Sequence, residues 1–161
     1  MDDSLRGAAA WMTGIVIWCL IGTAAYAVQA TETQSKPQDP GLAKILSMAE
    51  SQHEIVMILI KQGQFSEAAS EADKIFRMEW PGSEEPRLLA ELLSLCKLFH
   101  QHSQPALGLQ LIEKNEEGFK AAKSRAALWK EKGYLYKKMG DDDKALECFR
   151  RAQEFEKTSP N

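Results

Sequence analysis

Residues 129–152 read WKEKGYLYKKMGDDDKALECFRRA, and this stretch decides the fold. Its apolar side chains recur at three- and four-residue steps, as one face of a helix demands, both before and after Gly140. Gly140 breaks the first run. Asp141 or Asp142 can cap the helix that follows, because a short carboxylate accepts hydrogen bonds from the free N–H groups of a helix start. The stretch therefore predicts two helices joined by a tight turn.

The order of bulky and small residues in this pair resembles the tetratricopeptide repeat. The matching residues are Trp129, Gly133, Tyr136, Gly140, Ala145, Phe149 and Ala152. Small residues at these positions let the two helices approach, and the aromatic rings fill the gaps between them. The sequence departs from the repeat at Lys132, where the repeat has Leu, and at Pro160, which comes a few residues late.

Two looser helix pairs precede this one. Interruptions at residues 62–64, 80–83 and 100–104 separate their helices, because Gly, Pro and polar residues cluster there. Pro86 suits the first turn of the third helix, and the fifth helix is expected at about 120–139. The residues expected to face inward in the first four helices are Ile45, Met48, Ile55, Val56 and Leu59; Phe65, Ala68, Ala69, Ala72, Ile75 and Phe76; Leu89, Leu92, Leu93, Cys96 and Phe99; and Ala106, Leu109 and Ile112.

The sequence thus predicts an all-α fold in which three antiparallel helix pairs stack as a short solenoid similar to tetratricopeptide repeats. This domain is expected over residues 41–157, followed by a tail at 158–161. The matching helices recur at about 37 to 40 residues, longer than the usual spacing of about 34. Three pairs are also about the smallest number that can bury a shared core.

A hydrophobic helix is expected before this domain. Residues 8–30 contain no charged side chain, and a helix of that length spans about 34 Å at about 1.5 Å per residue. This length suits a transmembrane anchor, since the hydrocarbon core of a bilayer is about 30 Å thick. A cleaved signal peptide is the alternative, because small-residue sites of the A-x-A kind follow the most apolar run, at 25–27 and 28–30.

A linker is expected at residues 31–40, which are polar and include two prolines. Both alternatives for the N-terminal segment place the helical domain across a membrane if the N-terminus stays in the cytoplasm. We therefore expect a membrane-anchored or secreted protein of the bacterial cell envelope, with the helical domain in the periplasm.

The sequence offers no catalytic, metal or cofactor site. The formal net charge is −3, and a Gly-rich phosphate loop and a catalytic triad pattern are both missing from the sequence. His100 and His102 lack a third ligand nearby. The acidic pairs at 84–85 and 116–117 are expected to be solvated charges at helix starts. We expect a protein that is not an enzyme and does not bind nucleic acid.

The cysteines show no C-x-x-C spacing. Cys96 and Cys148 both fall on apolar helix faces, where a free cysteine behaves as a small apolar residue. A disulfide between them in an oxidising compartment is the alternative.

The resemblance implies a protein–protein interaction adaptor whose first helices line a groove for a partner segment. The groove-facing residues that it nominates are Lys130, Tyr134, Lys137 and Lys138 in the third pair, Arg87, Ser94 and Lys97 in the second, and His53 and Met57 in the first. A structural accessory subunit of a membrane-associated complex is the alternative function.

Residues 120–138 carry seven basic side chains against one acid, Glu131. The basic residues are Lys120, Lys123, Arg125, Lys130, Lys132, Lys137 and Lys138. We hypothesise that this helix receives an acidic segment or a C-terminal carboxylate of a partner protein. A solvated helix face is the alternative interpretation.

Overall fold

The computed structural model describes residues 39–158, and this part of the chain contains helices and no strand. The six α-helices are α1 (Pro40–Lys61), α2 (Phe65–Phe76), α3 (Glu85–Gln101), α4 (Pro105–Asn115), α5 (Ala122–Met139) and α6 (Asp142–Thr158). Single 3-10 turns precede α3 (Gly82–Glu84) and α5 (Glu116–Gly118). The all-helical prediction is confirmed for these residues.

The predicted N-terminal hydrophobic helix at 8–30, which would be an anchor or a signal peptide, lies outside the described residues. Among the helices between residues 39 and 158, none is both long enough and apolar enough to span a bilayer.

The turn between α5 and α6 forms as the sequence predicts. Gly140 ends α5 with a φ of 81°, in the left-handed region that glycine adopts without a steric penalty. The side chain of Asp141 then accepts a hydrogen bond of 3.1 Å from the backbone N–H of Lys144, so it caps α6. Helix α5 begins at Ala122, slightly later than expected, because a 3-10 turn and an extended segment precede it.

The helices of each pair run antiparallel. In the last pair, Gly133 of α5 lies against Phe149 of α6. Lys130, which precedes Gly133, lies 3.0 Å from Glu156, which follows Phe149, so the two helices run in opposite directions. In the second pair, the Sγ of Cys96 donates a hydrogen bond to the carbonyl oxygen of Gly108 at 3.4 Å. These close approaches occur where the sequence offers a glycine.

The three pairs stack in a row. Helix α4 packs on α2 of the first pair, and α5 packs on both α3 and α4. Within residues 39–158, the first pair makes no substantial contact with the third. This arrangement is consistent with a tetratricopeptide-like solenoid and differs from a closed helical bundle.

The core runs through the stack and contains most of the apolar residues expected to face inward. Its largest fully buried side chains are Phe99, Ile75, Leu92, Leu95, Leu111, Ile112, Leu128, Leu135 and Val56. Phe119 joins the same cluster from the segment before α5. The first helix, in contrast, was assigned partly to the wrong face.

Two of the α1 residues expected to face inward are exposed: Met48 retains 51% of its accessible surface and Ile55 retains 44%. Ile60, which was not expected in the core, is buried. Helix α1 stands at the end of the stack, so neighbouring helices cover only part of its wide apolar surface. Ala106, at the start of α4, is also exposed.

The contact between Gly133 and Phe149 predicts a specific stability effect. A Cβ atom at Gly133 would lie 2.7 Å from Cε1 of Phe149, closer than carbon atoms pack. Gly133→Ala should therefore lower the free energy of unfolding by about 1–3 kcal/mol, as overpacked core positions do. Urea denaturation followed by circular dichroism measures the change, and a Phe149→Leu background should reduce it.

Gly108→Ala is the matched control. Its Cβ would lie 3.4 Å from the Cα of Cys96, an ordinary contact. The gain in helix propensity of about 1 kcal/mol should then make this variant neutral or stabilising. Equal destabilisation by the two substitutions would contradict a specific steric clash between a side chain at position 133 and Phe149.

Candidate partner-binding groove

The first helices of the three pairs, α1, α3 and α5, lie side by side, and we call the surface that they form the groove. The Nδ1 of His53 on α1 donates a hydrogen bond of 2.6 Å to Oε1 of Glu91 on α3, since a carboxylate accepts only. Helix α3 packs in turn on α5.

The residues nominated from the sequence lie on these three helices. Those with exposed side chains are Lys130, Tyr134, Lys137, Lys138, Arg87, Ser94, Lys97 and Met57, and His53 is half-buried. The structure brings His53 and Arg87 together around one pocket.

This pocket lies between α1 and α3 and has a volume of about 410 Å³. Its apolar lining residues are Leu46, Ala49, Ile75, Trp80 and Leu88. Its polar lining residues are Glu50, His53, Arg87 and Glu91. The volume falls within the range of about 300–1,000 Å³ that is typical of ligand pockets.

Hydrogen bonds fix the wall of the pocket. The indole Nε1 of Trp80 donates to the carbonyl oxygen of Ile75 at 2.7 Å, which satisfies its only polar atom. Arg87 is held by Glu84, with its Nε 3.0 Å from Oε2. These contacts hold Trp80 and Arg87 in place beside the pocket.

The pocket residues that the sequence interpretation did not nominate for the groove include Glu50, Glu91 and Trp80. The two glutamates could have been found, because Glu50 lies one turn from His53 and Glu91 lies one turn from Arg87. Trp80 was assigned only to the break between helices.

The seven basic residues of 120–138 do not form one surface. Lys132 keeps only 6% of its accessible surface, and its Nζ lies 3.1 Å from Oε2 of Glu116 and 4.3 Å from the ring centroid of Trp129. Lys132 is therefore not available to an acidic partner segment, because its long side chain bridges α5 to the 3-10 turn before it.

Two further basic residues of this stretch are engaged elsewhere. The Nε of Arg125 donates to the carbonyl oxygen of Phe119 at 3.1 Å. Lys130 pairs with Glu156 of α6 at 3.0 Å, and the hydrogen bond to this glutamate raises the pKa of Lys130. For Lys137 and Lys138, the described part of the chain shows no ion pair, so they are the most available cations at the end of α5.

Tyr134 is also partly engaged. Its ring makes an edge contact with Phe149 of α6, with the centroids 5.2 Å apart. About half of the residue stays accessible, so an aromatic surface remains beside the lysines of α5.

Glu85 lies at the start of α3 as expected, but it is a structural contact as well as a helix-start charge. Its carboxylate accepts hydrogen bonds from the backbone N–H groups of Lys120 and Ala121, at 3.1 and 3.0 Å. Burial alone would raise the pKa of Glu85, but these bonds and one from Ser124 outweigh it and lower the pKa. Glu85 thus ties α3 to the start of α5.

The seam between α3 and α5 contains one further acid. Glu131 is half-buried there, and burial raises the pKa of its carboxyl group while the nearby His100 opposes that shift. The groove therefore does not become uniformly basic on reaching α5.

The remaining histidine and both cysteines of the described region have packing roles. The ring of His102 packs against Phe65 with the centroids 5.3 Å apart. Cys96 and Cys148 are separate, buried free thiols, and burial raises the pKa of both. This arrangement agrees with the interpretation of the cysteines as small apolar residues, and the alternative disulfide is not formed.

Comparison with known protein families identifies one repeat in the chain. The sequence model of the tetratricopeptide repeat matches residues 126–159, which contain α6 and most of α5. No curated protein and no solved structure matches the chain. The resemblance first noted on residues 129–152 is thereby confirmed: the chain contains a tetratricopeptide repeat, a module that serves protein–protein interaction.

The Lys132–Glu116 pair predicts an asymmetric response to mutation. Glu116→Gln should cost about 1–3 kcal/mol of stability, because it leaves a buried ammonium without its anionic partner. Lys132→Leu should cost less than about 1 kcal/mol, because the half-buried Glu116 can be hydrated when the lysine is removed. Thermal and urea unfolding measure both variants.

The double variant Lys132→Leu/Glu116→Gln is the control, and it should be more stable than Glu116→Gln alone. A larger loss from Lys132→Leu than from Glu116→Gln would mean that the lysine contributes through packing on Trp129 and not through its charge.

Proposed function

We propose that this chain is a non-catalytic adaptor that binds a segment of a partner protein along the groove. The observation that carries the proposal is the pocket between α1 and α3, which has two nominated groove residues, His53 and Arg87, in its lining. The repeat at 126–159 supports the same conclusion, since it indicates an interaction role.

The end of the groove at α5 would receive an acidic part of the partner. Lys137 and Lys138 are exposed in the last turn of this helix. Charged hydrogen bonds from lysine to a carboxylate are stronger than neutral ones, so an acidic segment or a C-terminal carboxylate would gain most there. Lys130 would contribute only after leaving Glu156.

The location of the adaptor is part of the proposal. Residues 8–30 would act as a membrane anchor or a signal peptide, and the linker at 31–40 would connect this segment to the helical domain. The domain would then lie in the periplasm of a bacterial cell envelope. The uncharged composition of 8–30 is the support for this location.

A second candidate function is that of an accessory subunit fixed in a membrane-associated complex. Met48, Ile55 and Ile58 are exposed on the outer face of α1, with 51%, 44% and 53% of their surface accessible. Exposed apolar clusters of this kind often mark interfaces. In this candidate function, the outer face of α1 would contact the complex and the groove would matter less.

Charge reversal at the end of α5 tests the adaptor proposal. The full chain, solubilised in mild detergent, is used to capture partners from an envelope extract, and the captured proteins are quantified by mass spectrometry. Lys137→Glu/Lys138→Glu should reduce recovery of the partner about tenfold, since each exposed ion pair contributes about 0.2–1 kcal/mol and reversal adds repulsion. Raising the salt concentration should weaken capture by the wild type.

Arg150→Glu/Lys157→Glu is the matched control, because both residues are exposed on α6 and the charge change is the same. This variant should retain the partner. The adaptor proposal would be refuted if Lys137→Glu/Lys138→Glu retained the partner while Met48→Ser/Ile55→Ser/Ile58→Ser lost it. That result would favour the accessory subunit.

A further inference from the structure

The pocket between α1 and α3 has the shape of a receptor for one bulky apolar side chain. Leu46 and Ala49 form its wall on α1, and Leu88 lies opposite on α3. Its volume of about 410 Å³ is near the lower end for ligand pockets, which leaves room for a large side chain and part of its neighbour. Buried anchors of this kind carry most of the affinity in protein interfaces.

The rim of this pocket is acidic. Two carboxylates line it, those of Glu50 and Glu91, with one guanidinium, that of Arg87. The guanidinium of Arg87 already pairs with the carboxylate of Glu84, which lies outside the lining, and Oε1 of Glu91 accepts the hydrogen bond from His53. Glu50 is exposed and has no ion-pair partner within residues 39–158.

The sign of the charge therefore changes along the groove. The rim between α1 and α3 favours a cation, whereas Lys137 and Lys138 at the far end of α5 favour an anion. A ligand with the matching order of charges gains at both ends, and one with the reversed order is repelled at both ends.

We propose that the pocket between α1 and α3 binds a bulky apolar side chain of the partner segment together with an adjacent lysine or arginine. The partner segment is then cationic beside this pocket, and acidic where it contacts Lys137 and Lys138 of α5. This inference rests on the proposed adaptor function and specifies the chemistry of its partner.

Selection of a random-peptide library on the full chain in detergent micelles tests the inference without knowledge of the natural partner. Enriched peptides should contain an aromatic or large aliphatic residue, with lysine or arginine at an adjacent or nearby position. One such peptide is then synthesised, together with a copy in which that cation is replaced by glutamate.

The variant Glu50→Lys should exchange the preference between the two peptides. It should weaken binding of the cationic peptide by about tenfold or more and strengthen binding of the glutamate-containing copy. Misfolding would weaken the binding of both peptides. An exchange of preference between them therefore indicates a local charge contact. Glu147→Lys is the control, because Glu147 is exposed on α6 and does not line the pocket.

The variant Ala49→Trp separates this inference from the function on which it rests. By filling the pocket it should weaken both peptides. Enriched peptides that are sensitive to Ala49→Trp, but are acidic beside the anchor and unaffected by Glu50→Lys, would overturn the inference and leave the adaptor function in place. No enrichment, or peptides insensitive to Ala49→Trp, would overturn both.

Discussion

The contact of Phe149 with the bare backbone at Gly133 sets the separation of α5 and α6, and the last pair depends on that separation. The ring lies where any larger residue at 133 would place its Cβ atom. Because α6 comes this close, the small residues Ala145 and Ala152 are buried on its inner face. Tyr134 packs against the same ring in a T-shaped contact, so this contact also affects the groove.

The third pair is held to the rest of the stack by contacts of another kind. Glu85 of α3 binds the backbone N–H groups just before α5, and Phe119 enters the core from the same segment. Together they fix where α5 begins relative to α3. The distance between the pocket at α1 and the lysines of α5 is then set by the stack, so an adaptor of this design would select partners by the spacing of their charges as well as by their sign.

The sequence predicted the last pair well because its determinants are local. Gly133, Gly140 and Ala145 act on neighbours within one helical hairpin, and a repeat signature records such contacts directly. Helix α1 was predicted less well. Hydrophobic periodicity shows that Met48 and Ile55 lie on an apolar face, but it does not show that α1 lacks a neighbouring helix on that side. The contacts of Glu85 and Lys132 were not predicted for a related reason: each charge is satisfied by a partner distant in sequence, and spacing along the chain does not show such partners. The pocket itself was not predicted: His53 and Arg87 were nominated only as groove residues, and Trp80 reaches the pocket from a loop.

Photocrosslinking in the cell tests most directly the central claim that partners bind the groove. A photoreactive amino acid replaces Arg87, which is exposed at the pocket, and in a parallel strain it replaces Leu146, which is exposed on α6. If partners bind the groove, irradiation should join the chain to a partner protein from position 87 and not from position 146. Adducts that form from position 146 alone would contradict binding in the groove.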